Sequence, residues 1–419
     1  GAASDADTLR NIAIGCKAGC SLNEGDDNVF LGTSSGKEVT SGSCNVFLGY
    51  DSGKCTTCGA GNVYIGQNAG SNSPGGDNNV FLGSSAGLQV STGENNIFIG
   101  KQSGGQNSGA PTTGTDNIAL GRDSGTCLTS GASNMFMGRY SGKQVQDGNY
   151  NIAFGHKAAC AAAAIGNYNV IFGFCSGKEL AGTSNIIIGK CSGNSATSGS
   201  RNILLGELAA SGAAVTGNNN IAIGCKSGRL LTSGASNVFV GTYSGASGSA
   251  VTGSYNLAMG ENAAKNITSG SENVILGYES GKQIQAGSNN TFLGARAGRC
   301  ASGATSNVVA GGNAAHYLTG DSNVILGSTS GHCMTSGGCN VLLGKTTGKC
   351  ITTGSDNIIS GTNAGLIGTA QSNNVILGNS AGYTNNAADN IFIGRASGYS
   401  NSSGCYNVFF GRCSGYDNT

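Results

Sequence analysis

Asn28-Val29-Phe30-Leu31-Gly32-Thr33-Ser34-Ser35-Gly36 decides the fold, because its pattern returns as Asn45-Val46-Phe47-Leu48-Gly49-Tyr50-Asp51-Ser52-Gly53 and again from Asn62. An Asn at this phase opens 24 consecutive units between Asn11 and Asn407; of the 23 intervals, 16 are 17 residues and the rest lie between 16 and 21. A fixed period of this size marks a repeat architecture in which each unit buries its apolar face on its neighbours. Three apolar residues between Asn and Gly are too few for a helix and suit a strand. The Gly that follows is present in all 24 units, as expected for a corner or a close backbone approach. A second Gly four residues later becomes Ala at Ala159, Ala210, Ala264 and Ala315. A weaker apolar position comes next, as at Leu22, Val39, Val90, Leu128, Val145, Ile267, Ile284 and Ile351, usually before a Thr-Ser-Gly-like turn.

Each unit therefore reads as one strong and one weak strand joined by two turns. The expectation is an all-β chain: a parallel β-solenoid (β-roll) of about 24 coils of 17 residues with two short strands per coil. Residues 11–419 form one continuous solenoid, and residues 1–10 are an N-terminal segment and a candidate contact to a neighbouring subunit. Coils stacked about 4.8 Å apart would give a rod roughly 115 Å long. They would also place Asn28, Asn45, Asn62, Asn79, Asn96 and their successors in a ladder of amides.

Alternate residues of a strand face opposite ways. With the first and third residues (Val29 and Leu31) taken as interior, the middle one faces outward. That outward stripe carries Phe30, Phe47, Tyr64, Phe81, Phe98, Phe136, Phe239, Phe292, Phe392 and Phe409. An exposed apolar stripe of this length is an aggregation hazard unless covered, so it is expected to pack on another chain in a trimer or laterally bundled fibre, or else on another wall of the same chain.

The 75 glycines, 2 prolines, absence of Trp and 10% charged residues fit a turn-rich repeat. Net charge is +1 and Lys and Arg read as singly scattered, so nucleic acid, which needs a basic stripe, is not expected as a partner. No apolar run approaches the roughly 20 residues of a membrane span. Sixteen cysteines favour an oxidising, extracellular setting. Cys175 and Cys191 share a phase in adjacent units, as do Cys333 and Cys350; a spacing of about 4.8 Å lies within the disulfide range of roughly 4.4–6.8 Å, so both pairs are expected to bond. Cys16, Cys20, Cys405 and Cys413, near the two ends, are candidates for intersubunit links. Cys55-Thr56-Thr57-Cys58 lacks the second pair of a zinc site. His156, His316 and His332 read as isolated turn residues. No carboxylate pair recurs at a fixed phase and no Walker-type phosphate loop occurs, so no catalytic, cofactor-binding or metal-binding residues are expected, and the chain is read as not an enzyme.

Asn11-Ile12-Ala13-Ile14-Gly15, Asn151-Ile152-Ala153-Phe154-Gly155 and Asn220-Ile221-Ala222-Ile223-Gly224 resemble the Asn-Ser-Val-Ala-Ile-Gly head repeats of trimeric autotransporter adhesins. Asn290-Thr291-Phe292-Leu293-Gly294 is similar to repeats of phage tail-fibre-like and bacterial surface proteins. The resemblance implies a left-handed parallel β-roll displayed outside a cell or on a virion. The functional expectation is a structural subunit of an extracellular fibre or filament, assembled by lateral or head-to-tail packing with itself. The alternative is a cell-surface adhesin or viral tail-fibre shaft binding a receptor or glycan through loops 105–116 and 245–255. An ice-binding solenoid is a remote third reading, because the outward turn positions lack a regular Thr array.

Overall fold

The computed structural model of the chain describes residues 10–105, 110–162, 164–245 and 248–418. The chain divides between Ser211 and Gly212 into two compact units. The described residues of each form a parallel β-solenoid with twelve three-residue strands, one per turn: β1 (Ile12–Ile14) to β12 (Ile203–Leu205) in the first unit, β13 (Ile221–Ile223) to β24 (Val408–Phe410) in the second. Successive strands pair in parallel and in register, Val29 opposite Val46, Phe30 opposite Phe47 and Leu31 opposite Leu48.

Among the described residues each coil carries one strand, and the expected second strand is not seen. The weaker apolar position is buried, as at Val39, Val90, Leu128, Val145, Ile284 and Ile351, but it caps a run of turns. The only ladder contacts there, among the described residues, are the isolated bridges Val90–Thr112 and Leu231–Val251. One apolar side chain plugs the coil, and the residues around it must turn, so no strand can extend.

The orientation of the strong strand is the reverse of the sequence-based expectation. Its middle residue faces inward: Phe30, Phe47, Tyr64, Phe81, Phe98, Phe136, Phe239, Phe292 and Phe392 are fully buried, and Phe409, in the last coil, is half-buried. The first and third residues face outward. The ladder Asn sets this parity. It is itself buried at nearly every coil, so with a side-chain period of two the residue two places on must also point inward. The rings stack coil upon coil, Phe47 on Tyr64 and Tyr64 on Phe81 at 4.7 Å between centroids with 4° between planes.

The Asn ladder is continuous within each unit. From Asn28 to Asn202, the backbone N–H of each ladder Asn donates to Oδ1 of the Asn one coil earlier. The same holds from Asn237 to Asn407. The Asn45 amide also donates to Asn28 Oδ1 at 3.1 Å and to the Gly59 carbonyl at 2.8 Å. The small residue seven places after the Asn adds a second polar tie, Ser35 Oγ donating to the Phe47 carbonyl at 2.9 Å.

Two glycine columns follow from close approach. A Cβ at Gly32 would lie 2.4 Å from the Gly49 carbonyl oxygen of the next coil, and Gly32 has φ +133. The second column explains the four alanines. A Cβ at Gly36 would fall 2.7 Å from the Phe30 ring, and at Gly87 2.4 Å from the Phe81 ring; at Gly177 it would sit 3.2 Å from Ile171. All ten units with an aromatic strand centre keep Gly here, whereas Ala159, Ala210, Ala264 and Ala315 follow the smaller centres Ala153, Leu204, Ala258 and Val309. Gly87→Ala and Gly228→Ala share the cost of a left-handed backbone, but only the first drives a methyl into a ring. The first should destabilise by about 1–3 kcal/mol more, the range for an overpacked core. Urea unfolding of the two variants checks this, and equal losses would contradict the coupling.

Candidate functional site: an apolar strand face between charged rims

The outward residues of the strands make the most distinctive surface. Of the 48 first and third strand positions, 45 are Val, Ile, Leu, Met or Phe; the exceptions are Thr291, Ser360 and Ala310. Side-by-side stacking half-buries most of them, but Ile188 remains 42% exposed, Phe154 48% and Ile358 48%. In each unit, twelve strands of about 10 Å at a spacing of about 4.8 Å give an apolar footprint of roughly 550–600 Å². That matches the largest apolar patches on soluble monomers, about 300–600 Å². The aromatic residues of the expected outward stripe therefore form the core, and the outward apolar surface is the pair of columns on either side of them.

Charge is sorted along the two borders of this face. The two positions after the strand's Gly, where the chain turns through left-handed residues such as Lys17, Tyr140 and Arg296, carry eleven Lys or Arg against five Asp or Glu. The two positions before the ladder Asn carry nine Asp or Glu against two Arg. Lys and Arg are thus not scattered; sequence inspection missed the sorting because it shows only when charges are tabulated by phase within the repeat.

A second cationic column lies round the corner from the basic rim, nine residues after each Asn. Glu279, on the basic rim six residues after Asn273, is a hub that ties the two columns, accepting from Lys282 at 2.7 Å and Arg299 at 2.9 Å in the second column and from Arg296 at 3.2 Å on the rim, with its side chain 9% exposed. The Lys282 hydrogen bond is the largest cause of its depressed pKa, and Arg299 adds to it; together they overcome burial and hold the carboxyl at about 2. Tyr140 is flanked by Arg139 and Lys143, and Tyr243 by Lys226 and Lys265, at 4.7–5.0 Å from the ring centroids.

The histidines are not isolated. His316 and His332 stack in successive coils at 5.1 Å, and His156 stacks on Phe174 at 5.5 Å. His316 is 8% exposed, and its Nδ1 has no hydrogen-bond partner. Burial, then the neighbouring His332, lowers its pKa.

All sixteen cysteines are free thiols. Cys175 and Cys191 keep the stacked phase expected of them, and burial followed by the Cys191 thiol raises the Cys175 pKa. Cys333 and Cys350 interact in the same way. Cys16, Cys20, Cys405 and Cys413 are exposed. The N-terminal segment up to residue 9, and residues 106–109 and 246–247 of the two long units proposed as contact loops, lie outside the described residues. Among the described residues no helix is long and apolar enough to cross a membrane, and no group of three or more His, Cys, Asp or Glu side chains is arranged to hold a metal ion.

These ionisations set an acid limit on stability. Glu279 has a folded pKa below its ordinary value of 4.5, so its contribution is present above that value and is lost as pH falls towards 2. His316 has a folded pKa below 6.5, so below that pH the unfolded chain binds the proton preferentially and stability falls. Thermal unfolding of the second unit is therefore expected to weaken first below pH 6.5 and again below 4.5. Glu279→Gln should lower stability at pH 7 and remove the second step; an unchanged pH profile for that variant would contradict the assignment. No family model matches the chain, and no curated protein is found similar to it.

Proposed function

We propose that the chain is a structural subunit of a fibre, displayed outside the cell or on a cell or virion surface, that assembles side by side with copies of itself through the apolar strand face. The observation that carries this reading is the nearly unbroken pair of Val, Ile, Leu and Met columns on the outside of both solenoid units. Burying apolar surface releases about 25 cal/mol per Å², so a face kept apolar coil after coil has value only when something covers it. A β-sheet packs well on another sheet about 10 Å away, and a second copy offers a surface with the same coil spacing. The stiff aromatic and amide stacks suit a load-bearing element, and the reading assigns the chain no catalytic role. In the oxidising setting favoured by its cysteine content, Cys175–Cys191 and Cys333–Cys350 would staple neighbouring coils.

Introducing charge into the face tests the reading. Ile188→Lys and Met259→Lys replace outward residues, both more than 40% exposed, so folding by far-UV circular dichroism should be unchanged. In sedimentation velocity the wild type is expected to associate at micromolar concentration and the double variant to run as a monomer. A wild-type chain that is monomeric throughout would contradict self-assembly.

A further inference from the structure

The two borders of the strand face are opposite in charge and nearly equal. In the first unit the rim after the strands carries six Lys or Arg against three acids, and the rim before them five acids against two Arg. In the second unit the counts are five cations against two acids, and four acids against none. These residues lie within two or three positions of the strands, so they border the apolar columns directly. Lys345, Arg395 and Arg412 on one side and Glu272 and Asp356 on the other are exposed.

We infer that the rims dictate how two copies meet: with their coil-stacking directions parallel, related by a rotation axis along that direction, so that the basic rim of one copy lies against the acidic rim of the next. The argument is one of symmetry and rests on the self-assembly reading above. When two faces meet about an axis parallel to the stacking direction, strand directions oppose one another across the interface and each basic rim meets an acidic one. The same holds around a closed ring of three or more copies. When they meet about an axis lying along the strands, the stacking directions are antiparallel, and basic faces basic while acidic faces acidic. Apolar packing alone does not choose between these arrangements, because both copies present the same repeat. The charges do, and like-charge juxtaposition is the kind of penalty that excludes wrong pairings. The partner this surface fits is therefore a second copy of this chain in one polarity.

Ionic strength and charge reversal test the inference in sedimentation equilibrium. Between about 0.1 M and 1 M salt the Debye length falls from about 10 Å to about 3 Å, so rim attraction is screened and wild-type association is expected to weaken. The triple variant Glu272→Lys, Asp356→Lys, Asp389→Lys makes both rims of the second unit basic. At low salt it should associate at least about tenfold more weakly than wild type, and its association should strengthen as salt is added. Wild-type association that strengthens with salt, or a triple variant as tight as wild type at low salt, would overturn the parallel arrangement while leaving lateral self-assembly standing. A wild-type chain that is monomeric at every salt concentration would overturn both. Far-UV circular dichroism of the triple variant, expected to match wild type, separates loss of association from loss of fold.

Discussion

The buried asparagine amide is the constraint from which the rest follows. Each coil must satisfy a backbone N–H at the point where the chain enters its strand, and a buried N–H left unpaired costs about 1–3 kcal/mol. The side chain of the Asn one coil earlier accepts that bond, at 3.0 Å for Asn45 onto Asn28, and its Nδ2 reaches the carbonyl of the turn that closes the coil. Asp would lose the donor, and Ser is too short to reach both partners. Once the amide is held inside, the period of the strand assigns every neighbour: the middle residue is core and its two flanking residues are surface.

This small interior explains the composition. A coil whose interior is filled by the ladder Asn, the strand centre, one further apolar side chain and small residues, as with Asn28, Phe30, Val39 and Ser35, has no place for unpaired charge, so charge is sparse and confined to the turns. The exchange between aromatic centre and glycine shows how tight the volume is. Where Phe98 fills the coil, Gly104 lies so close that an added methyl would overlap the ring at 2.1 Å; where Ala258 sits instead, Ala264 fits. Left-handed conformations at Leu208 and Tyr243 cost about 1–2 kcal/mol each, and they persist because the stacked coils on either side hold them in place.

The repeat, the parallel stacking and the Asn ladder were legible in the sequence because each rests on spacing alone. The direction of the strand's side chains was not, because an Ile-Phe-Ile triplet is apolar at both parities; Ile97-Phe98-Ile99 gives no local sign of which residue is inside. The sign was available one residue earlier, in Asn96, once its amide is recognised as a buried group and not a turn residue. The second strand was over-read because Val39 is as apolar as a strand residue, yet its neighbours are turns. The charged rims were invisible to inspection along the chain because Lys345, Arg395 and Arg412 are far apart in sequence; only folding the sequence on its own period brings them into one line.

The inward position of the strand centre and the outward position of its flanks is the claim on which the proposed assembly face depends, and the methionines report on it directly. Met135, Met137 and Met259 occupy flanking positions at the surface, with Met259 43% exposed, whereas Met334 is fully buried in the turn layer. Brief treatment of dilute, monomeric chain with peroxide, read by peptide mass spectrometry, should convert the first three to sulfoxide well before Met334. Protection of Met135, Met137 and Met259 to the same degree as Met334 in the monomer would place the flanking columns inside the coil and contradict the account.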